Sequence, residues 1–187
     1  MRHLSSLIRV AARVSPVLLV FVFALTVFFW TGLNAAMEMT SNETFCTSCH
    51  EMKDNPYNEY ILTSHYKNHA GVRATCPDCH VPREWSAKMI AKIGAAKDVY
   101  RHFAGMIDTP EKYSEQRLRM AEAVWAKMKS TDSRECRSCH SFENMALEEQ
   151  QGRARRKHEQ IIKNGNTCID CHKGIAHKLP DGYERDN

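Results

Sequence analysis

Outside one stretch near its N-terminus, this 187-residue sequence has no long apolar run, and nowhere does it show the strict alternation of a half-buried strand. Without such runs, the roughly 150 residues beyond that stretch, dense in charge, cannot build a large aliphatic core unaided. Without alternation, the chain is expected to be mainly α, with little or no sheet. Charge of one sign is also missing. The formal net charge is only +4, which gives no ground for expecting nucleic-acid binding. Nor does any cysteine stand alone, because all 8 lie in Cys-x-x-Cys segments.

Each segment is followed at once by histidine: Cys46, Cys49 and His50; Cys76, Cys79 and His80; Cys136, Cys139 and His140; Cys168, Cys171 and His172. This is the pattern of covalent c-haem attachment. The two thiols add to the vinyl groups on one edge of the macrocycle, and the adjacent imidazole is left under the iron as proximal ligand. A disulfide framework does not explain a histidine after every pair. A zinc ribbon needs no histidine at that position. Four covalently bound haem c groups are therefore expected. Their porphyrins would supply the apolar surface that the chain lacks, and the haem-free chain is expected to be largely unfolded.

From Val14 to Met37 no residue is charged, and Val17 to Trp30 is almost purely apolar. As a helix this stretch reaches across about 30 Å of hydrocarbon. It is too long for the apolar part of a cleaved signal peptide, and Leu33-Asn34-Ala35-Ala36 is a poor cleavage site. Arg2, Arg9 and Arg13 precede the stretch, while Glu38 and Glu43 follow it. The positive-inside rule then places residues 1–13 in the cytoplasm, 14–37 in the bilayer and 38–187 on the far side. For c-haem attachment that side is the periplasm of a Gram-negative bacterium, so the protein is expected in the inner membrane as a single-pass chain.

The first two motifs start 30 residues apart and the last two 32 apart. His65 lies 11 residues before Cys76, and His158 lies 10 before Cys168, each ahead of a short glycine turn. The spacing suggests two duplicated di-haem units, about 38–85 and 130–187, joined by a helical linker over 86–129. A low-spin c-haem needs a sixth ligand, usually His or Met. His65 and His158 are matched by the repeat. His177 sits five residues after His172, where Gly174 would let the loop turn back over a neighbouring haem. The comparable position after His80 is Trp85, which cannot ligate iron, so the first haem is the odd one. Met52, two residues after His50, offers it a thioether, although a methionine beside a haem can also be ordinary packing. His69 and His102 read as surface or structural residues, and His3 lies on the cytoplasmic side.

In the linker, Ser86 reads as the N-cap of an amphipathic, basic helix over 87–106, suited to lie at a membrane interface. Asp98 is its lone acid. Thr109 and Pro110 then start a second helix over 111–129, with Leu118, Ala121, Trp125 and Met128 on its inward side. The charged stretch 147–160 reads as a docking surface or a solvated face.

Taken together, these features resemble the NapC/NirT family of membrane-anchored quinol dehydrogenases over essentially the whole chain. They are one N-terminal span, four motifs in two pairs, Cys49-His50-Glu51-Met52, and the run from Cys168 through His177 to Pro180. The chain is similar above all to the NapC branch, which feeds the periplasmic nitrate reductase; other relatives serve nitrite or trimethylamine N-oxide reduction. The resemblance implies a haem 1 next to the membrane, facing a pocket for menaquinol or ubiquinol bordered by Lys92 and Asp98. It implies Met52 on that iron with His50 freed, His65 serving haem 4, His177 haem 3 and His158 haem 2. Some relatives have a histidine where this chain has Arg83, and its absence here favours Met52. Electrons would leave to a periplasmic reductase or its cytochrome subunit. A terminal reductase with substrate at an open iron, and a passive carrier that never meets quinol, are the rival readings.

Overall fold

The computed structural model describes residues 15–184. The segment 1–13, with His3 and the arginines on which the orientation argument rests, lies outside the described residues. The chain divides into two compact units after Thr40. Among the described residues every regular element is helical and there is no strand.

The first unit is built on helix α1, Pro16–Met39, shifted by two residues from the expected 14–37. Pro16 suits the first turn, where its missing N–H would have no partner anyway. At 24 residues the helix is about 36 Å long. Its apolar side chains are exposed on every side from Val17 to Trp30, with Val17 and Phe28 both about three-quarters exposed, and Met37 near its end is buried. This is the single helix among the described residues that is long and apolar enough to cross a membrane.

The second unit has three longer helices: α2, Trp85–Phe103; α3, Pro110–Ser130; and α4, Gly152–Asn164. Helix α2 begins two residues earlier than Ser86 predicted, with Glu84 at its cap and no side-chain capping bond. It stops at Phe103, because Gly105 just beyond takes a left-handed φ of 64°. Helix α3 starts as expected. Thr109 Oγ1 accepts from the Lys112 N–H at 3.3 Å and Pro110 occupies the first turn. The residues expected on its inward side, Leu118, Ala121, Trp125 and Met128, are all partly covered. Helix α4 was not expected in the charged stretch. Nearly all its side chains are solvated, it turns Ile161 inward, and Gly165 (φ 69°) ends it, its N–H returning to the Ile161 carbonyl at 3.0 Å.

Little of this unit is buried by its own apolar side chains: Tyr60, Ile107, Ile161 and Ile169 are the buried ones among its described residues. Polar ties link distant segments instead. Arg117 of α3 grips the Glu59 carboxylate with two hydrogen bonds of 2.8 and 2.6 Å, and donates a third to the Lys178 carbonyl at 2.7 Å. The Lys178 N–H donates back to Glu59 at 2.8 Å. This clasp fixes the loop beside His177 against the segment carrying Pro56.

Candidate functional site

Each Cys-x-x-Cys segment lies in or beside a single helical turn, so that cysteines three apart share one side. The second and fourth motifs are built alike. Thr75 and Asp78 close a reciprocal cap at Cys76–His80, and Thr167 and Asp170 do so at Cys168–Cys171. The first and third share another device: the hydroxyls of Ser48 and Ser138 each donate to the carbonyl three residues back at 2.7 Å. These local pairs agree with a duplicated unit. Further support locks the fourth motif in place. Ser133, fully buried, accepts from the Ile169 N–H at 3.1 Å, and Lys129 pairs with Asp170 at 2.7 Å.

No two of the eight cysteines are joined in a disulfide. Burial pushes Cys76 and Cys79 up to about 11 and raises Cys46 and Cys136. A raised thiol is poorly suited to the thiolate ligation that a zinc site requires. Among the described residues the single convergence of three metal-type donors is Cys49, Glu51 and His102, so no four-donor zinc cluster forms.

The histidines come together in pairs. His80 faces His177 with ring centroids 6.2 Å apart, His140 faces His65 at 6.2 Å, and His172 faces His158 at 5.9 Å. Two imidazoles on opposite faces of one iron, each about 2 Å from it, have centroids roughly 6 Å apart. The second ring nitrogen of two partners is already occupied. His177 Nδ1 donates to the Pro56 carbonyl at 3.1 Å, and His158 Nδ1 bonds Gln150 Oε1 at 2.6 Å. Such bonds fix ring and tautomer and leave Nε2 for a metal. His65 Nδ1 is buried without a partner. Burial holds the His65 and His177 imidazoles below their ordinary range, hence neutral, as ligation requires. The residues of the last three motifs therefore fit bis-imidazole c-haems.

The pairing differs from the one the resemblance implied. His65 stands opposite the third motif rather than the fourth, His177 opposite the second rather than the third, and His158 opposite the fourth rather than the second. Two of the three pairs thus join the first half of the chain to the second.

The first motif is arranged otherwise. His50 has a ring opposite it too, His102 at 6.0 Å, but a carboxylate oxygen stands between them. Glu51 Oε1 accepts from His102 Nδ1 at 2.7 Å and lies 3.3 Å from His50 Nε2. Burial alone would raise the Glu51 carboxyl. The bond from His102, a backbone N–H and the nearby His50 outweigh it and hold the group below its usual range. Met52 lines a pocket of about 60 Å³ together with Cys46, Cys76, Cys79, His80 and His177. His69 is exposed, as expected. His102, read from the sequence as a surface or structural residue, is bonded into this cluster; the sequence signal would have been its place on the same helix as Lys92 and Asp98.

Lys92 is half-buried, 6.0 Å from the Phe45 ring, and its charge reaches the Cys46 thiol. Asp98 pairs with Arg101 at 2.7 Å and is about half exposed. Lys92 and Asp98, six residues apart on α2, do not share a face.

Residues 9–182 match the family described as NapC/NirT cytochrome c family, N-terminal region. The chain belongs to that family. It is 54% identical over 159 residues to the denitrification system component NirT of Stutzerimonas stutzeri, covering 85% of this chain and 79% of that protein. It is also 54% identical over 156 residues to the cytochrome c-type protein NapC of Escherichia coli K12, covering 83% and 78%. To a putative tetraheme cytochrome-c type protein of Allochromatium vinosum it is 49% identical over 154 residues, covering 82% and 83%. No solved structure matches the chain. A NapC/NirT cytochrome with four Cys-x-x-Cys-His motifs is a c-type cytochrome, and its cofactor is haem c.

Proposed function

We propose that this NapC/NirT cytochrome is anchored in the bacterial inner membrane by α1, oxidises menaquinol or ubiquinol, and passes the electrons to a periplasmic terminal reductase, the nitrate reductase first among them. The observation that supports this reading is that three motif histidines face a second imidazole, whereas the imidazole opposite His50 is bonded to Glu51. Irons held on both faces exchange electrons without binding substrate. When bound, the haems supply a series of one-electron centres; the chain's own residues supply the binding and the handling of protons. The outer side of α2 offers Ile90, Ile93 and Tyr100, each about two-thirds exposed, with Lys97 among them, a face suited to a lipid surface. On the same helix Lys92 sits beside the first motif, where its ammonium can hold a quinol oxygen. Asp98, kept in place by Arg101, can accept the quinol proton at its carboxylate and release it to water.

The test is reconstitution of the purified four-haem chain in liposomes with menaquinol and ubiquinol analogues. Rapid reduction is expected, followed by reoxidation on addition of the periplasmic nitrate reductase and nitrate. Reoxidation only by a nitrite or trimethylamine N-oxide system would move the chain to another branch. Reduction by neither quinol would end the reading. Asp98→Asn is expected to slow quinol oxidation roughly 10²-fold, as for loss of a general base, with all haems still attached. An unchanged rate would remove Asp98 from the proton path.

A further inference from the structure

The first motif differs from the other three in what its histidine touches. Of the four motif histidines, His50 is the one in side-chain contact with a carboxylate, and that contact is at Nε2, the nitrogen an iron would take. The carboxylate is not placed there casually. Glu51 is 2% exposed, fixed from the far side by His102 Nδ1, and its second oxygen is buried with no hydrogen-bond partner. A buried carboxylate left half-satisfied destabilises the fold, so its retention calls for a reason beyond stability. Meanwhile the His50 side chain is 58% exposed, and Met52, two residues on and itself 42% exposed, lines the pocket shared with Cys46. Between His50 and that cavity wall the backbone passes from the short helix His50–Met52 into the π-helical turn Lys53–Tyr57, which carries Pro56. Single π turns gather at functional sites, because the wider turn re-aims the side chains that flank it.

We propose that Glu51, fixed by His102, is a positioning residue that holds His50 off the first haem iron and leaves that axial place to Met52. The proposal rests on the reading that the first haem is the odd one, and it adds the device that makes it so. It also gives His102 a role: it anchors the carboxylate through Nδ1 and does not itself ligate iron. The three other motifs have no acid at the next position (Val81, Ser141 and Lys173 follow their histidines), and each of their histidines faces a second imidazole at about 6 Å.

The experiment uses the full four-haem chain in detergent, with haem count checked by mass spectrometry. Near-infrared magnetic circular dichroism and electron paramagnetic resonance of the ferric protein count imidazole-bound and thioether-bound irons. The wild type is expected to show three bis-imidazole irons and one thioether-bound iron, and Met52→Leu is expected to abolish the thioether signal alone. Glu51→Leu, similar in volume but without the acceptor, is expected to release His50 and add an imidazole-bound iron at the expense of the thioether signal. The three bis-imidazole signals, unchanged, would show that the fold is intact. His102→Ala is expected to shift the same signal in the same direction without opening an iron. The clamp is overturned if Glu51→Leu leaves the first haem as in wild type, or if His102→Ala removes an imidazole and yields a new high-spin iron. The two ideas separate at Met52→Leu. If that change is silent, Met52 is not the ligand, and Glu51→Leu still decides whether His50 was being held away.

Discussion

At the residue scale, the site depends on a few residues that are neither cysteines nor histidines of the motifs. Ser133 is fully buried in a left-handed conformation (φ 49°), and its hydroxyl is the acceptor for the Ile169 N–H. Ser133→Ala leaves that buried N–H without an acceptor and is expected to lower stability by about 1–3 kcal/mol. Denaturant unfolding of the holoprotein followed by circular dichroism measures this. Gly174 is the second case. Its φ is 78°, and a Cβ there would stand 2.9 Å from Leu179 Cγ. Gly174→Ala combines a left-handed penalty of roughly 1–2 kcal/mol with that clash. The loop that carries His177 must then shift, and one low-spin iron is expected to become high-spin, an outcome read by electron paramagnetic resonance. The special value of Gly174 was legible in the sequence, because a histidine five residues beyond a motif cannot return to a neighbouring haem without a tight turn.

At the element scale, the Glu59, Arg117 and Lys178 clasp holds the two halves of the chain to helix α3. Burial alone would raise the Glu59 carboxyl, but the bonds from Arg117 and the Lys178 N–H outweigh it and hold the group below its usual range. A carboxyl depressed on folding stabilises the protein above its unfolded value, about 4.3, and that contribution is lost as pH falls through the lower folded value. The holoprotein is therefore expected to lose stability below about pH 4. Arg117→Gln is expected to cost about 1–3 kcal/mol near neutrality and to flatten that acid limb. Unfolding midpoints measured for both proteins between neutral and acid pH decide the matter. Elements also mark the limit of what the sequence disclosed. Helices α1 and α3 were legible from an uncharged run and from the Thr109 and Pro110 start signal. Helix α4 was not, because its apolar residues, Ile161 and Ile162, fall together in its last turn and give no periodicity. Its helicity comes from tertiary anchoring of Ile161 and His158, which no local pattern announces.

At the scale of the whole molecule, composition and motif count were enough to expect four haem sites, an apolar helix and three histidines that face the motif histidines. Which histidine meets which motif was not readable, because it depends on how the halves interlock. His65 reaches the third motif, His177 reaches back to the second, and only His158 stays within its own half. Because two of the three ring pairs cross between the halves, the two halves are expected to fold as one body, with the clasp at Glu59 as the polar seam. This interlocking has a consequence that separates it from any pairing of His177 with the third motif. In the intact chain, His177→Ala is expected to open one iron and convert it from low-spin to high-spin. In a chain whose second motif carries Cys76→Ala, Cys79→Ala and His80→Ala, and so lacks that haem, the same change is expected to leave the spectrum of the remaining three untouched. Two such changes that share one partner must fail to add, whereas changes at separate irons add. If His177→Ala still opens an iron in the three-haem background, His177 serves a different motif and the interlocked arrangement is wrong.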